Sequence, residues 1–147
     1  MNILIINGPN LNLLGIREPE IYGSKSYQDL VDFLKEIGKK NNVNINFFQS
    51  NHEGIIIDKL HEAFFQKIDG IIINPGALTH YSLAIRDAIS AINIPTVEVH
   101  LSDIRHREPF RKISVISAVC RRQFFGKGFI SYQEGLEFLI GEINGVS

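Results

Sequence analysis

The chain twice runs through an unbroken stretch of aliphatic residues that stops at the same kind of punctuation. Ile3-Leu4-Ile5-Ile6 ends at Asn7-Gly8-Pro9, and Ile71-Ile72-Ile73 ends at Asn74-Pro75-Gly76. A short apolar run cut off by Asn, Gly and Pro suits a strand buried on both faces, and such strands belong to parallel sheets covered by helices. The intervening segments carry helical spacing. Residues 26–40 place Tyr27, Leu30, Val31, Phe33, Leu34 and Ile37 on one stripe, with Ser26 as a plausible N-cap.

The same reading extends along the chain. Strands are expected at residues 2–6, 43–48, 68–73 and 95–99, with a weaker fifth within 121–126. Helices are expected at 26–40, 53–67, 78–91 and 131–142, with a short one around 109–113. This strand–helix alternation within 147 residues predicts a single α/β domain: a flavodoxin-like, five-stranded parallel sheet of order 2-1-3-4-5, with helices on both faces. In that order strands one and three are neighbours, and ligands bind beyond their C-terminal ends. Asn7–Asn12, Asn74-Pro75-Gly76 and His100-Leu101-Ser102 all follow such ends, so three polar clusters converge on one edge of the sheet.

Bulk properties narrow the function classes. The chain is 44% hydrophobic and 21% charged with a formal net charge of −1, which gives no general reason to expect nucleic acid or an anionic membrane. A local basic excess from Arg105 to Arg122 suits a small anion or a subunit contact better than a nucleic-acid backbone, because Glu108 and aliphatic residues interrupt it. Cys120 is the single cysteine, so an intramolecular disulfide and a Cys-based metal framework are both excluded. No window approaches the ~20 apolar residues of a membrane span, and the N-terminus lacks a signal-peptide pattern. A cytoplasmic protein is expected.

Arg17 and Tyr22 lie five positions apart in a loop flanked by Gly15, Pro19 and Gly23. A phenol titrates near pH ~10, so about one molecule in a thousand is a phenolate at neutral pH, and a nearby guanidinium would make that base more accessible. A surface loop with a packed tyrosine and a solvated arginine explains the pair equally well. Glu98 and His100 share a strand face, so the carboxylate can orient the imidazole or favour its protonated form. The alternative is a histidine satisfied by a backbone carbonyl. Asn74-Pro75-Gly76 with Ser102 suggests recognition of a carboxylate or hydroxyl, although a tight turn and a helix cap account for the Pro-Gly by themselves. His80, near the start of the third helix, could face the same crevice. The histidines match no metal-ligand spacing, and Gly126-Lys127-Gly128 is too short for a phosphate loop.

Four stretches taken together, NGPNLNLLGIREPEIYG (7–23), QSNHEG (49–54), INPGALTHYSLAIRDA (73–88) and VEVHLSDIRHREPFR (97–111), closely resemble the type II 3-dehydroquinate dehydratase family. The resemblance implies an anti elimination of water from 3-dehydroquinate to 3-dehydroshikimate through an enolate, a step of the shikimate pathway, with no metal or other cofactor. It implies that Tyr22 is the base, with Arg17 easing its ionisation. Asn10 would hold a water that stabilises the enolate, and His100, backed by Glu98, would be the acid. Asn74, Leu101 and Ser102 would grip the substrate carboxylate, while His80 and Arg111 would bind ring hydroxyls. Asp87 would reach a neighbouring subunit's site in a dodecamer built from trimers. Residues 15–24 would form a lid. A non-catalytic α/β module that binds a small molecule is the rival, and intact Arg17, Tyr22 and His100 argue against it. Asp103, Lys112-Ile113 and the segment from Gly126 to Phe129 depart from the family pattern, though none carries an assigned chemical role.

Overall fold

The computed structural model describes residues 1–16, 20, 24–106 and 108–145. Its strands are β1 (Asn2–Asn7), β2 (Asn44–Gln49), β3 (Gly70–Asn74), β4 (Thr96–His100) and β5 (Gln123–Phe125). Its longer helices are α1 (Tyr27–Lys40), α2 (Glu53–Phe65), α3 (Leu83–Ile92) and α4 (Phe129–Ile143). All strand pairs are parallel, and the sheet order is β2-β1-β3-β4-β5, as expected.

The aliphatic runs are unbroken because neighbouring side chains of a strand serve opposite faces. Ile3 and Ile5, with Ile72, Val97 and Val99, pack beneath Leu30, Leu34 and Ile37 of α1 and Leu136 and Leu139 of α4. Leu4 and Ile6, with Ile71 and Ile73, pack against Ile56 and Leu60 of α2 and Ile85, Ile89 and Ile92 of α3. Each fully buried Leu or Ile contributes about 2 kcal/mol relative to exposure. These two layers hold the strand ends in fixed register. Asn7 lies opposite Gln49 on one side and Asn74 on the other, so three amide side chains line up where the sheet ends.

Helix starts follow local hydrogen-bond chemistry. Ser26 caps α1: its hydroxyl accepts from the Asp29 N–H at 3.1 Å, and the Asp29 carboxylate accepts from the Ser26 N–H at 2.9 Å. After β3 the helix expected over residues 78–91 is divided. A 3-10 turn spans Gly76–His80, and α3 begins only at Leu83. Ser82 causes the restart, because its hydroxyl accepts from the Ile85 N–H at 3.1 Å while Tyr81 leaves helical geometry (φ −153°). His80 therefore sits on a turn above the sheet rather than on the helix. No helix among the described residues is long and apolar enough to cross a membrane.

Candidate active site

The loops after β1 and β3 pack backbone against backbone. A Cβ on Gly8 would lie 2.7 Å from the Pro75 carbonyl oxygen, and the Gly8 N–H donates to the Asn74 carbonyl at 2.7 Å. Gly76 adopts φ +58°, and a Cβ there would stand 3.0 Å from the Pro9 carbonyl oxygen. These contacts explain why both strand ends carry Gly: a side chain would block the close approach. Beyond the interlocked loops opens a cleft of about 590 Å³, counting its open mouth. Asn10, Asn74, His80, His100, Leu101, Ser102 and Arg111 all line it.

His100 ends β4 and is nearly buried at 5% exposure, while Glu98 behind it is fully buried. His100 Nε2 meets Glu98 Oε2 at 2.5 Å. The Thr79 hydroxyl donates to Glu98 Oε2 at 2.6 Å, and the Ser114 hydroxyl donates to Oε1 and Oε2 at 2.8 and 2.9 Å. Burial alone would raise the Glu98 pKa. The hydrogen bond and charge of His100, with the bonds from Thr79 and Ser114, outweigh burial and hold the carboxyl below its ordinary range. An ionised Glu98 accepts a hydrogen bond from the Nε2–H of the imidazole, which leaves Nδ1 as the ring nitrogen that Glu98 does not engage.

Asn74 sits in a directional network. Its Oδ1 accepts from the Gly76 N–H at 3.1 Å, and its Nδ2 donates to the Tyr132 phenol oxygen at 2.8 Å. Tyr132, fully buried on α4, donates to Asn7 Oδ1 at 2.6 Å, and Asn7 Nδ2 donates to the Tyr27 hydroxyl at 3.3 Å. Asn10 is held by its backbone. It adopts the left-handed conformation (φ 72°), and its N–H donates to Asn51 Oδ1 at 2.9 Å. Gln49 Nε2 in turn donates to that same Asn51 oxygen at 3.2 Å and to the Gly8 carbonyl at 3.1 Å. The QSNHEG stretch thus steadies the loop after β1.

The far wall is built from the 3-10 turns. His80 Nδ1 lies 2.7 Å from the Ile113 carbonyl oxygen, and its ring meets Phe110 edge-on at 5.8 Å. Burial is the main influence lowering the His80 pKa, with His100 and Arg111 adding to it against the Ile113 bond and Glu98. Arg111 pairs with Glu108 and lies over the Phe110 ring at 5.0 Å. Ile113 contributes its carbonyl to His80, so the departure at this position leaves that contact intact.

The structure therefore gathers seven of the sequence-predicted residues around one cleft, with Glu98 directly behind His100. Asp87 does not line it and stands exposed on α3. Arg17 and Tyr22, with most of the expected lid, lie outside the described residues. Thr79, Ser114, Asn51 and Tyr132 were not anticipated as site components. Thr79 and Asn51 fall inside the quoted motifs, a signal that was available, whereas nothing local marks Ser114 or Tyr132.

A model of the family described as Dehydroquinase class II matches residues 1–140. The chain belongs to that family. The 3-dehydroquinate dehydratase of Caldicellulosiruptor bescii is 59% identical over 130 residues, 88% of this chain and 90% of the relative. That of Clostridium perfringens is 54% identical over 143 residues, 97% of this chain and 99% of the relative. The crystal structure of type II dehydroquinase from Butyrivibrio crossotus matches with a TM-score of 0.94 at 52% identity, covering 95% of this chain and 97% of that one. The family resemblance read from the four motifs is borne out, and so is the sheet order that accompanies the class II dehydroquinase fold.

Proposed function

We propose that this cleft dehydrates 3-dehydroquinate to 3-dehydroshikimate, the hydro-lyase reaction of the shikimate pathway, by anti elimination through an enolate. The observation that carries this reading is the buried Glu98–His100 pair at a cleft lined by amide, hydroxyl, imidazole and guanidinium groups, in a chain of the class II dehydroquinase family. A proton alpha to a ketone is acidic enough for an oxygen base to remove once the enolate oxygen is stabilised, so no cofactor is required.

Tyr22, as phenolate, takes that proton, and Arg17 lowers the cost of its ionisation. The C–H electron pair moves into the enolate, whose oxygen is met by a water on Asn10. When the enolate collapses, the C–O bond to the leaving hydroxyl breaks and His100 supplies the proton that makes it water. Glu98 steadies the imidazolium before transfer. Asn74 and Ser102, with the backbone N–H groups of Leu101 and Ser102, hold the substrate carboxylate, while His80 and Arg111 bind ring hydroxyls.

The working form is a homo-oligomer, a dodecamer built from trimers. Asp87 stands exposed and away from its own cleft, as a residue serving another subunit's site would have to. Stereochemistry tests the mechanism. With 3-dehydroquinate deuterated at the alpha position anti to the hydroxyl, the label is expected in solvent. Its retention in the product would exclude an anti elimination.

A further inference from the structure

We propose that Tyr132 is a positioning residue for substrate binding: in the orientation that the Gly76 N–H sets, its phenol oxygen engages one Asn74 N–H and so holds the amide with its other N–H as a donor to the substrate carboxylate. This rests on the reading of Asn74 as a carboxylate contact. The direction of the network is set at one end, and the other links follow from it. The Gly76 backbone N–H can only donate, so the group facing it must be Asn74 Oδ1. Nδ2 is thereby turned to Tyr132, whose oxygen accepts from it. The phenol proton is then committed to Asn7 Oδ1, and Asn7 Nδ2 donates onward to Tyr27. Burial pushes the Tyr132 phenol far up in pKa, so it keeps that proton.

Were the Asn74 amide reversed, its NH₂ would face the Gly76 N–H and leave two partly buried donors opposed. The cost of such a mismatch is what holds the orientation. Asn74 lines the cleft while 3% exposed, and its second Nδ2 hydrogen is not used by Tyr132. The contact crosses 58 positions, from the last helix to β3.

Steady-state kinetics with 3-dehydroquinate on the intact chain test this. Tyr132→Phe removes one hydroxyl, and KM is expected to rise about tenfold while kcat changes less than about threefold. In an Asn74→Ala background the same substitution is expected to change KM less than about twofold, because its effect passes through Asn74. A structural role alone would lower melting temperature without producing that dependence. Asn7→Ala, which removes the acceptor that directs the phenol proton, is expected to give the same pattern and serves if the Tyr132 variant does not fold. Equal KM effects in the presence and absence of Asn74, or no rise in KM, would overturn the inference while leaving the dehydratase reading standing. A wild-type chain that does not turn over 3-dehydroquinate would overturn both.

Discussion

Glu98 and His100 stand two residues apart on β4, and the 2.5 Å contact between Oε2 and Nε2 decides which imidazole nitrogen is left for chemistry. The strand's alternation puts both side chains on one face, and Thr79 and Ser114 keep the carboxylate oxygens occupied from above. A buried carboxylate is costly unless every lone pair finds a partner. Among the described residues the partners are two hydroxyls and one imidazole, a set that holds the ring.

Replacing Glu98 with Gln keeps the side-chain volume and removes the charge. If Glu98 orients the imidazole that donates the proton, kcat in Glu98→Gln should fall by about a hundredfold with little change in KM. Steady-state kinetics on the folded variant check this. An unchanged kcat would remove Glu98 from support of the acid.

The same carboxylate makes stability depend on pH. Its folded pKa is held below the ordinary carboxylate value, so the unfolded chain takes up this proton first as the solution is acidified. The stabilisation is complete above about pH 4.3 and is lost as pH falls through the lower folded value. The gap in melting temperature between wild type and Glu98→Gln should therefore narrow as pH is lowered from about 5 to about 3. Scanning calorimetry at several pH values measures it, and a gap that widens on acidification would contradict the assignment.

Much of the fold was legible because it rests on local patterns. Aliphatic runs ended by Asn, Gly and Pro located β1 and β3, and Ser26 marked the start of α1. The helix after β3 was harder, since Leu78 and the apolar residues that follow fit helical spacing although Ser82 restarts the chain. β5 is three half-buried residues and carries almost no periodicity. The cleft was legible as strand ends meeting at the sheet's edge. Its supports were not: the hydroxyls of Ser114 and Tyr132 act across 16 to 125 positions, and a single hydroxyl carries no pattern that announces a distant partner.

Gly8 is a second test of how the site is assembled. An added Cβ would lie 2.7 Å from one Pro75 backbone atom and 2.8 Å from another, and neither can swing aside as a side-chain tip could. Gly8→Ala should cost about 2 kcal/mol of stability and part the two loops that carry Asn10 and Asn74. Denaturant unfolding reads the first effect and KM for 3-dehydroquinate the second. A variant with wild-type values for both would show that the loop contact is dispensable.

The most direct measurement is the ultraviolet absorbance that appears when the purified chain is mixed with 3-dehydroquinate, since dehydration creates a conjugated enone. Absorbance should grow at a rate proportional to protein concentration and disappear with Tyr22→Phe. A folded wild-type chain that produces no enone would contradict the account.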